Sequence, residues 1–223
     1  MLKPGIIVSC QASEGNYLDT YVLCQMARSA LLAEPAGLRL SITTAQAIFD
    51  TKAEVSVPII GLTKKYFDGL VHITSTAEDA KACEDAGCEY VATDGTGRWG
   101  YDEMKRMLKA EVKVIADVAT AEQGKICEDL GCYAITTALS GYTSLPVARE
   151  IDPPDLELVK ALREVCTLPI IAEGRYWSRE DVESALSCGA SNVCIGAAIA
   201  RPDLITKNFV RIFDGDGPGN YGE

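Results

Sequence analysis

Short apolar segments alternate along the chain with longer segments whose apolar residues recur at helical spacing. The apolar segments are rich in β-branched residues and end at polar or glycine positions, as buried strands do. The segments between them, such as Thr20 to Leu32 and Thr43 to Thr51, have the periodicity of helices that pack one face on a sheet. This pattern predicts eight strands, at 5–9, 37–40, 58–62, 90–93, 112–116, 134–137, 169–172 and 192–195.

Internal repeats support the same arrangement. A helix end, a glycine and a short strand recur at 83–93, 127–137 and, more loosely, 185–195. A buried strand that ends in a polar residue also recurs, with the sequences VPIIGLT (57–63), VKVIADV (112–118) and LPIIAEG (168–174). Eight strand–helix units favour a closed (β/α)8 TIM barrel over an open sheet. An open dinucleotide-binding sheet would carry G-x-G-x-x-G after its first strand, and SCQASEG does not match it.

The stretch from Leu168 to Pro202 has the pattern of a phosphate site. Two predicted strands end here beside helix starts, one at Glu173-Gly174-Arg175 and the other at Gly196-Ala197. Helix N-termini carry unpaired N–H groups that favour an anion, and glycine lets a phosphate approach the backbone. Arg175 and Arg201 would add positive charge, which leaves Glu173 as a carboxylate in need of a chemical role.

Polar residues follow most of the predicted strands. In a barrel the carboxyl ends of all strands share one mouth, so these residues are expected to converge on an active site. The residues at these ends are Ser9, Gln11, Arg39, Lys64, Asp94, Asp117, Thr136, Thr137, Glu173 and Gly196.

Lys64 and Glu173 are the strongest candidates for catalysis. A partly desolvated lysine can act as a base or as a Schiff-base nucleophile, whereas on the surface it would be a solvated charge. Lys65 stands next to it, so the choice of lysine stays open. Glu173 can be a general acid or base, or can form a structural ion pair with Arg175 or Arg201.

Three further residues are candidates for substrate contacts. Asp117 could orient Lys64 through its charge or cap the following helix. Arg39 suits ligand binding better than proton transfer, because arginine stays charged. Gln11 could hydrogen-bond a sugar or a phosphate, or serve the backbone of its own loop.

Length and composition set the remaining bounds. The 223 residues suit one barrel domain, expected over 1–213, followed by a flexible, glycine-rich acidic tail at 214–223. The net charge of −11, without a Lys/Arg cluster, argues against nucleic acid as a partner. No apolar run approaches the roughly 20 residues of a membrane span, and the N-terminus predicts a strand instead of a signal peptide. We therefore expect a cytoplasmic protein.

Cysteine and histidine content argues against a metal centre. The chain has nine cysteines and a single histidine, His72. In a chain of this size the thiols are expected to be reduced and buried, and His72 to lie in a loop or on the surface. We expect no metal site of the His-rich kind.

Seven segments together resemble the N-acetylmannosamine-6-phosphate 2-epimerases of sialic acid breakdown. They are GIIVSCQA (5–12), LTK (62–64), IADV (115–118), LSGYT (139–143), PPDLELVKAL (153–162), PIIAEGR (169–175) and ARPDLITKNFV (200–210).

The resemblance implies a TIM barrel that inverts carbon 2 of an amino-sugar phosphate without a metal or organic cofactor, often as a homodimer. By the same resemblance, Lys64 would be the base at carbon 2 and Glu173 the second acid/base group. The remaining roles would be sugar binding by Gln11, Arg39, Asp117 and Tyr142, and phosphate binding by Gly174, Arg175, Gly196, Ala197 and Arg201.

Two departures from the family pattern bear on specificity. Leu40-Ser41-Ile42 replaces the usual Ala-Asn-Gly after the second strand, and Ala197 replaces a serine. A related acylamino-sugar phosphate is therefore an open alternative as substrate. A Schiff-base aldolase or lyase that uses Lys64, and a non-catalytic sugar-phosphate-binding barrel, are the alternative functions.

Overall fold

Eight parallel strands close into a barrel, as the alternation of strands and helices predicts. The computed structural model describes residues 2–11, 18–51, 55–144, 147–148 and 152–211. The barrel strands are β1 (Gly5–Cys10), β2 (Gly37–Ser41), β3 (Ile59–Leu62), β6 (Tyr90–Asp94), β7 (Val114–Asp117), β8 (Ala134–Thr136), β9 (Ile170–Glu173) and β10 (Asn192–Ile195). Strand β1 pairs with both β2 and β10, which closes the barrel.

The helices follow the strands in the predicted order and start at residues that cap them. Thr76, Thr120 and Ser178 each accept a hydrogen bond from the backbone of the first helical turn, which satisfies one of its free N–H groups. The helices are α1 (Thr20–Leu31), α2 (Ile42–Asp50), α3 (Ala77–Asp85), α4 (Asp102–Lys109), α5 (Ala121–Leu130), α6 (Leu156–Val165), α7 (Arg179–Ser187), α8 (Ala197–Ala200) and α9 (Pro202–Val210).

The repeated glycines end three of these helices. Gly87, Gly131 and Gly189 have φ angles of 88°, 99° and 100°, a left-handed conformation that glycine adopts without strain. Each turns the chain from a helix back into the next barrel strand, which explains why the repeat has a glycine at this position.

Alternate residues of the strands face two different cores. Ile60, Leu62 and Ile115 belong to the cluster inside the barrel, whereas their neighbours Ile59 and Val114 pack in the cluster between barrel and helices. Successive side chains of a strand point to opposite faces, so every second residue is directed inward. A polar residue on this inward set near a strand's carboxyl end therefore faces the mouth.

A hairpin outside the barrel departs from the sequence prediction. The eight predicted strands include none at 64–73, but β4 (Lys64–Phe67) and β5 (Leu70–Ile73) form an antiparallel pair. Asp68 and Gly69 connect them with φ angles of 51° and 76°. Two consecutive positive φ angles are typical of a tight type I′ hairpin turn, for which Asp-Gly is a strong sequence signal. That signal in KKYFDGLVHI was sufficient to predict the hairpin.

The cysteines are reduced, as expected: all nine are free, and eight of them are buried. His72 lies on β5. Within the described ranges no three His, Cys, Asp or Glu side chains are grouped as metal ligands, and no helix combines the length and apolarity needed to cross a bilayer. The tail at 214–223 lies outside the described residues, so the division into barrel and tail stays a prediction.

Candidate active site

A pocket of about 320 Å³ opens at the carboxyl ends of the barrel strands. Every residue that the sequence assigned to catalysis, sugar binding or phosphate binding contributes to its lining. These residues are Gln11, Arg39, Lys64, Asp117, Tyr142, Glu173, Gly174, Arg175, Gly196, Ala197 and Arg201. Four of these side chains are cationic and two are carboxylates, so a chain with a net charge of −11 concentrates positive charge here.

Arg39 is held between two carboxylates on the floor of the pocket. Its guanidinium donates two hydrogen bonds to Asp117, at 3.0 and 2.6 Å, and one of its nitrogens lies 3.2 Å from Glu173 Oε2. Asp117 is fully buried and Arg39 nearly so. The prediction that Asp117 orients Lys64 or caps a helix missed this contact, because the two partners are 78 residues apart in the chain.

The negative charges of Asp117 and Glu173 keep Arg39 protonated. Burial disfavours a charged guanidinium, but the negative charges of Asp117 and Glu173 outweigh that effect and raise the pKa of Arg39. Arg39 is therefore a permanent cation. The two-pronged contact also leaves little freedom for its planar group, so the positive charge has a defined position beside the pocket.

Glu173 has a single, longer contact with the guanidinium of Arg39. Besides the contact with Arg39, its Oε2 lies 3.4 Å from the hydroxyl of Thr136. Burial raises the pKa of Glu173, and the charge of Asp117 adds to that shift, while Arg39 opposes it. The structural ion pair expected with Arg175 or Arg201 is instead made with Arg39. Glu173 is thus a carboxyl whose proton affinity is increased, as a general acid requires.

Cys194 is a neighbour of Glu173 that sequence reasoning missed. The two residues are paired in register on β10 and β9, and the thiol hydrogen-bonds the carboxylate. Burial, together with the charge of Glu173, raises the pKa of Cys194, so it remains a thiol that donates its proton to this bond. Its position on the inward set of β10 was a usable signal, but nine cysteines of similar context concealed it.

Lys64 enters the pocket from the hairpin. Its residue is exposed as a whole, yet the ammonium group lies deep enough that desolvation, aided by the positive charge of Arg39, lowers the pKa of Lys64 to about 8. Glu173 and Asp117 oppose this shift. Among the described residues no carboxylate lies within ion-pair distance of Lys64, which leaves its ammonium available to a ligand.

Strand alternation distinguishes the two neighbouring lysines. Lys64 and Tyr66 line the pocket together with Val71 and Ile73, which are their partners across the hairpin. Lys65 points to the other face, where its ammonium lies 2.7 Å from Asp79 on α3. Only Lys64 of the two lines the pocket.

The expected phosphate side of the pocket is formed largely by backbone. A Cβ placed on Gly174 would meet no atom within 4 Å, so open space adjoins this residue. The side chain of Arg175 is directed elsewhere: it donates to the carbonyl oxygens of Pro153 and Ser140 and lies over the ring of Tyr142. Its backbone is left-handed, with φ 64°, a strained conformation for a residue other than glycine. Arg175 therefore supports the wall that carries Tyr142.

Arg201 lines the pocket where α9 begins, after the strand β10 that neighbours β9. Its guanidinium forms a two-pronged ion pair with Asp203, at 2.9 and 2.6 Å. Its positive charge nevertheless reaches Lys64 and contributes to the lowered pKa of that lysine.

Two of the strand-end residues have structural contacts. Asp94 does not line the pocket; it accepts hydrogen bonds from Thr96 and forms an ion pair with Arg98. Thr137 bonds the backbone of Glu173. Pocket residues that the sequence reasoning did not single out are mainly apolar or come from the hairpin, and include Tyr66, Val71, Ile73, Leu139 and Tyr176.

The model of the NanE family, described as "Putative N-acetylmannosamine-6-phosphate epimerase", matches residues 23–214. This chain belongs to that family.

Relatives of similar length agree with the assignment. A "Putative N-acetylmannosamine-6-phosphate 2-epimerase" of Caldanaerobacter subterraneus subsp. tengcongensis is 39% identical, over 94% of this chain and 91% of the relative. One of the same description from Clostridioides difficile is 30% identical, over 96% and 97%. The solved N-acetylmannosamine-6-phosphate 2-epimerase from Clostridium perfringens superimposes with a TM-score of 0.83 at 31% identity, covering 95% and 94% of the two chains.

A more distant structure shows the fold alone. Thiamine phosphate pyrophosphorylase from Pyrococcus furiosus matches with a TM-score of 0.61 at 13% identity. The TIM barrel is therefore shared beyond the NanE family.

The two departures from the family pattern fall in different places. Leu40 is buried in the core between barrel and helices, and Ser41 caps α2 through its hydroxyl. Neither of them lines the pocket, and nor does Ile42. The replacement at 40–42 therefore changes packing and a helix start, whereas Ala197 lies in the pocket itself.

The buried ion pair generates a stability prediction. Asp117→Asn leaves Arg39 with a single carboxylate, Glu173, and we expect it to lower the free energy of unfolding by about 3 kcal/mol, at the lower end for breaking a buried pair. Urea denaturation followed by circular dichroism measures the loss. Asp85→Asn is the control, because its pair with Lys81 is exposed and is expected to contribute little to stability. Equal losses in the two variants would contradict the role given to Asp117.

Proposed function

We propose that this chain interconverts N-acetylmannosamine 6-phosphate and N-acetylglucosamine 6-phosphate by inverting carbon 2. The observation that carries the mechanism is the pairing of Lys64 and Glu173 in one pocket, with the pKa of the lysine lowered and that of the carboxyl raised. Both shifts move the pKa of the group toward neutral pH, which favours proton transfer by each of them. Membership of the NanE family supports the same reaction.

Carbon 2 of the sugar becomes acidic only when the ring is open. The carbanion formed there then delocalises into the carbonyl group of carbon 1 as an enediolate. Ring opening moves a proton between the ring oxygen and the carbon 1 hydroxyl, and Glu173 is suited to that transfer as a carboxyl with a raised pKa.

Inversion then requires one group to remove a proton and another to return one to the opposite face. Lys64 approaches from the hairpin and Glu173 from the barrel strand β9, so the two groups come from different elements of the pocket. Whichever epimer is bound, one group starts without its proton and the other with it. The pair must therefore hold a single proton in both directions of the reaction.

Arg39 would stabilise the enediolate. Its positive charge is already in position before the substrate binds, so little reorganisation is needed when negative charge develops. Its Nε is buried and contacts no acceptor among the described residues, so Arg39 would act on the substrate chiefly through its charge. We assign Gln11 and Tyr142 to the sugar hydroxyl and acetamido groups, because both line the pocket beside this charge.

The phosphate would bind at the backbone of Gly174-Arg175 and Gly196-Ala197. The open space beside Gly174 admits a bulky anion, and Arg201 adds positive charge from the start of α9. With Ala197 in place of a hydroxyl residue, backbone N–H groups carry most of this binding. Anchoring the distant phosphate keeps carbon 2 in register with the catalytic pair.

Substitution of the two lysines tests the assignment. Lys64→Met should reduce the exchange of the C2 proton for deuterium by at least about a thousandfold, within the range expected for loss of an acid or base. Lys65→Met, which breaks only the contact with Asp79, should keep activity within a few-fold of the native enzyme. Proton NMR of N-acetylmannosamine 6-phosphate in deuterium oxide measures both.

The same samples separate the alternative functions. Absence of exchange in the native protein would favour a non-catalytic sugar-phosphate-binding barrel. Covalent trapping of substrate on Lys64 by borohydride would favour a Schiff-base aldolase or lyase. Full activity of Lys64→Met would refute its role as a base.

The requirement for a single shared proton predicts a bell-shaped pH dependence of kcat/KM. Below the raised pKa of Glu173 both groups are protonated, and no base is left. Above about pH 8 Lys64 has also lost its proton, and no acid is left. We expect the alkaline limb near pH 8 in both reaction directions, measured by coupled assay or NMR. A rate that continued to rise above pH 9 would contradict the two-group mechanism.

We also propose that the chain forms a homodimer through the region around α9. No residue of α9 is buried, and Phe209 and Val210 are 63% and 50% exposed. Beside it, Ile199 of α8 borders an apolar groove with Tyr21, Met26 and Ala30. A second copy of the chain would cover both apolar surfaces.

Sedimentation velocity tests this assembly. The native protein should sediment as a dimer, and Phe209→Asp should shift it toward the monomer. Leu186→Asp, at a similarly exposed apolar residue on α7, is the control and should leave the dimer intact. A monomeric native protein at micromolar concentration would refute the proposal.

A further inference from the structure

The proposed catalytic lysine stands on a hairpin outside the barrel sheet, whose outer face is joined to α3 by the exposed contact of Lys65 with Asp79. Thr63 and Thr74 flank the hairpin and are joined by two hydrogen bonds, of 3.0 and 3.1 Å. Strands β4 and β5 otherwise pair only with each other. A two-stranded hairpin has little stability of its own, so the position of Lys64 depends on what supports the outer face.

That support comes from the loop between β6 and α4, residues 95–101, which we call the clamp loop. Arg98 donates from Nη2 to the carbonyl oxygen of Val71 at 2.9 Å. The same nitrogen lies 2.7 Å from Asp94, and Nε bonds the hydroxyl of Thr96. Arg98 thus ties the backbone of β5 to the end of barrel strand β6.

Aromatic stacking adds a second contact between the clamp loop and the hairpin. The ring of Trp99 is stacked on His72 at 5.0 Å, with an angle of 24° between the planes. The centroid of the Trp99 ring also lies 5.5 Å from that of Phe67. Both partners lie on the face of the hairpin opposite Lys64, since His72 is paired with Lys65. Contacts of this kind stabilise beyond the burial of the rings.

The hairpin is short, so contacts on its outer face also fix the residues of its inner face, which is directed at the pocket. Val71, whose carbonyl accepts from Arg98, is paired with Tyr66, and Ile73 is paired with Lys64. All four of these hairpin residues line the pocket, whereas Arg98 and Trp99 do not. We propose that Arg98 and Trp99 are positioning residues, which hold the hairpin so that Lys64 meets carbon 2 of the substrate.

The inference rests on the proposed function, and the experiment tests the two separately. Arg98→Met and Trp99→Ala should each lower kcat about tenfold or more, as small misplacement of a catalytic group does. KM should change less than about twofold, because neither residue contacts the pocket. Trp99→Phe, which retains a ring for stacking, should restore most of the rate. Arg106→Met is the control: it removes the same charge from α4, where the arginine pairs only with Glu103 and Glu78.

A readout independent of turnover follows the lysine itself. Competitive acetylation at a series of pH values, with Lys64 quantified by mass spectrometry, measures its pKa in the free enzyme. Release of the hairpin should expose the ammonium to water and raise the pKa from about 8 toward the ordinary value of about 10.4. The charge of Arg98 is not among the main influences on this pKa, so such a shift reports position instead of lost charge.

The outcomes are distinct. A lowered kcat together with a raised pKa of Lys64 in both variants, and neither change in Arg106→Met, supports the proposal. An unchanged pKa of Lys64 overturns it, even if stability or KM changes. If the native enzyme fails to exchange the C2 proton, the proposed function fails, and the acetylation result still decides whether the clamp loop positions Lys64.

Discussion

The pocket depends on one buried cation shared between two carboxylates. Arg39 faces inward from β2, Asp117 from β7 and Glu173 from β9, so their contact spans the barrel. Burying any one of these charges alone would be costly, and together they are tolerated because the guanidinium neutralises its partners. Burial raises the pKa of both carboxyls, but Asp117 takes the two-pronged contact with Arg39, whereas Glu173 has a single contact. The unequal sharing leaves Glu173 the freer of the two to meet a ligand.

The two proposed catalytic groups are supported in different ways. Glu173 belongs to a barrel strand, and its neighbours Thr136 and Cys194 come from the strands on either side. Lys64 belongs to a hairpin outside the barrel, which the clamp loop joins to the end of β6. The two groups therefore reach the pocket from different elements, Glu173 from β9 and Lys64 from β4. The proposed inversion needs two such separate groups, because one removes a proton from carbon 2 and the other returns one to the opposite face.

Electrostatics also explain how an acidic chain serves an anionic substrate. Some of its surface carboxylates are paired with lysines along the helices, as in Lys125 with Asp129. The pocket instead is lined by four cationic side chains, and burial together with the positive charge of Arg39 lowers the pKa of Lys64 there. The phosphate is thus attracted to the mouth by local charge although the net charge of the protein is negative.

The sequence alone was enough to predict the barrel and the residues around its mouth. Strand periodicity, caps such as Thr76 and Ser178, and glycines after helices are local signals, and parallel strands must end at a common face. It could not predict that Asp117 binds Arg39, that Arg175 supports a wall, or that Arg98 and Trp99 hold the hairpin. Those contacts join residues distant in the chain, and they depend on barrel closure and strand register. Even the choice between Lys64 and Lys65 required the tertiary structure, because adjacent strand residues face opposite sides and only the fold decides which side is the pocket.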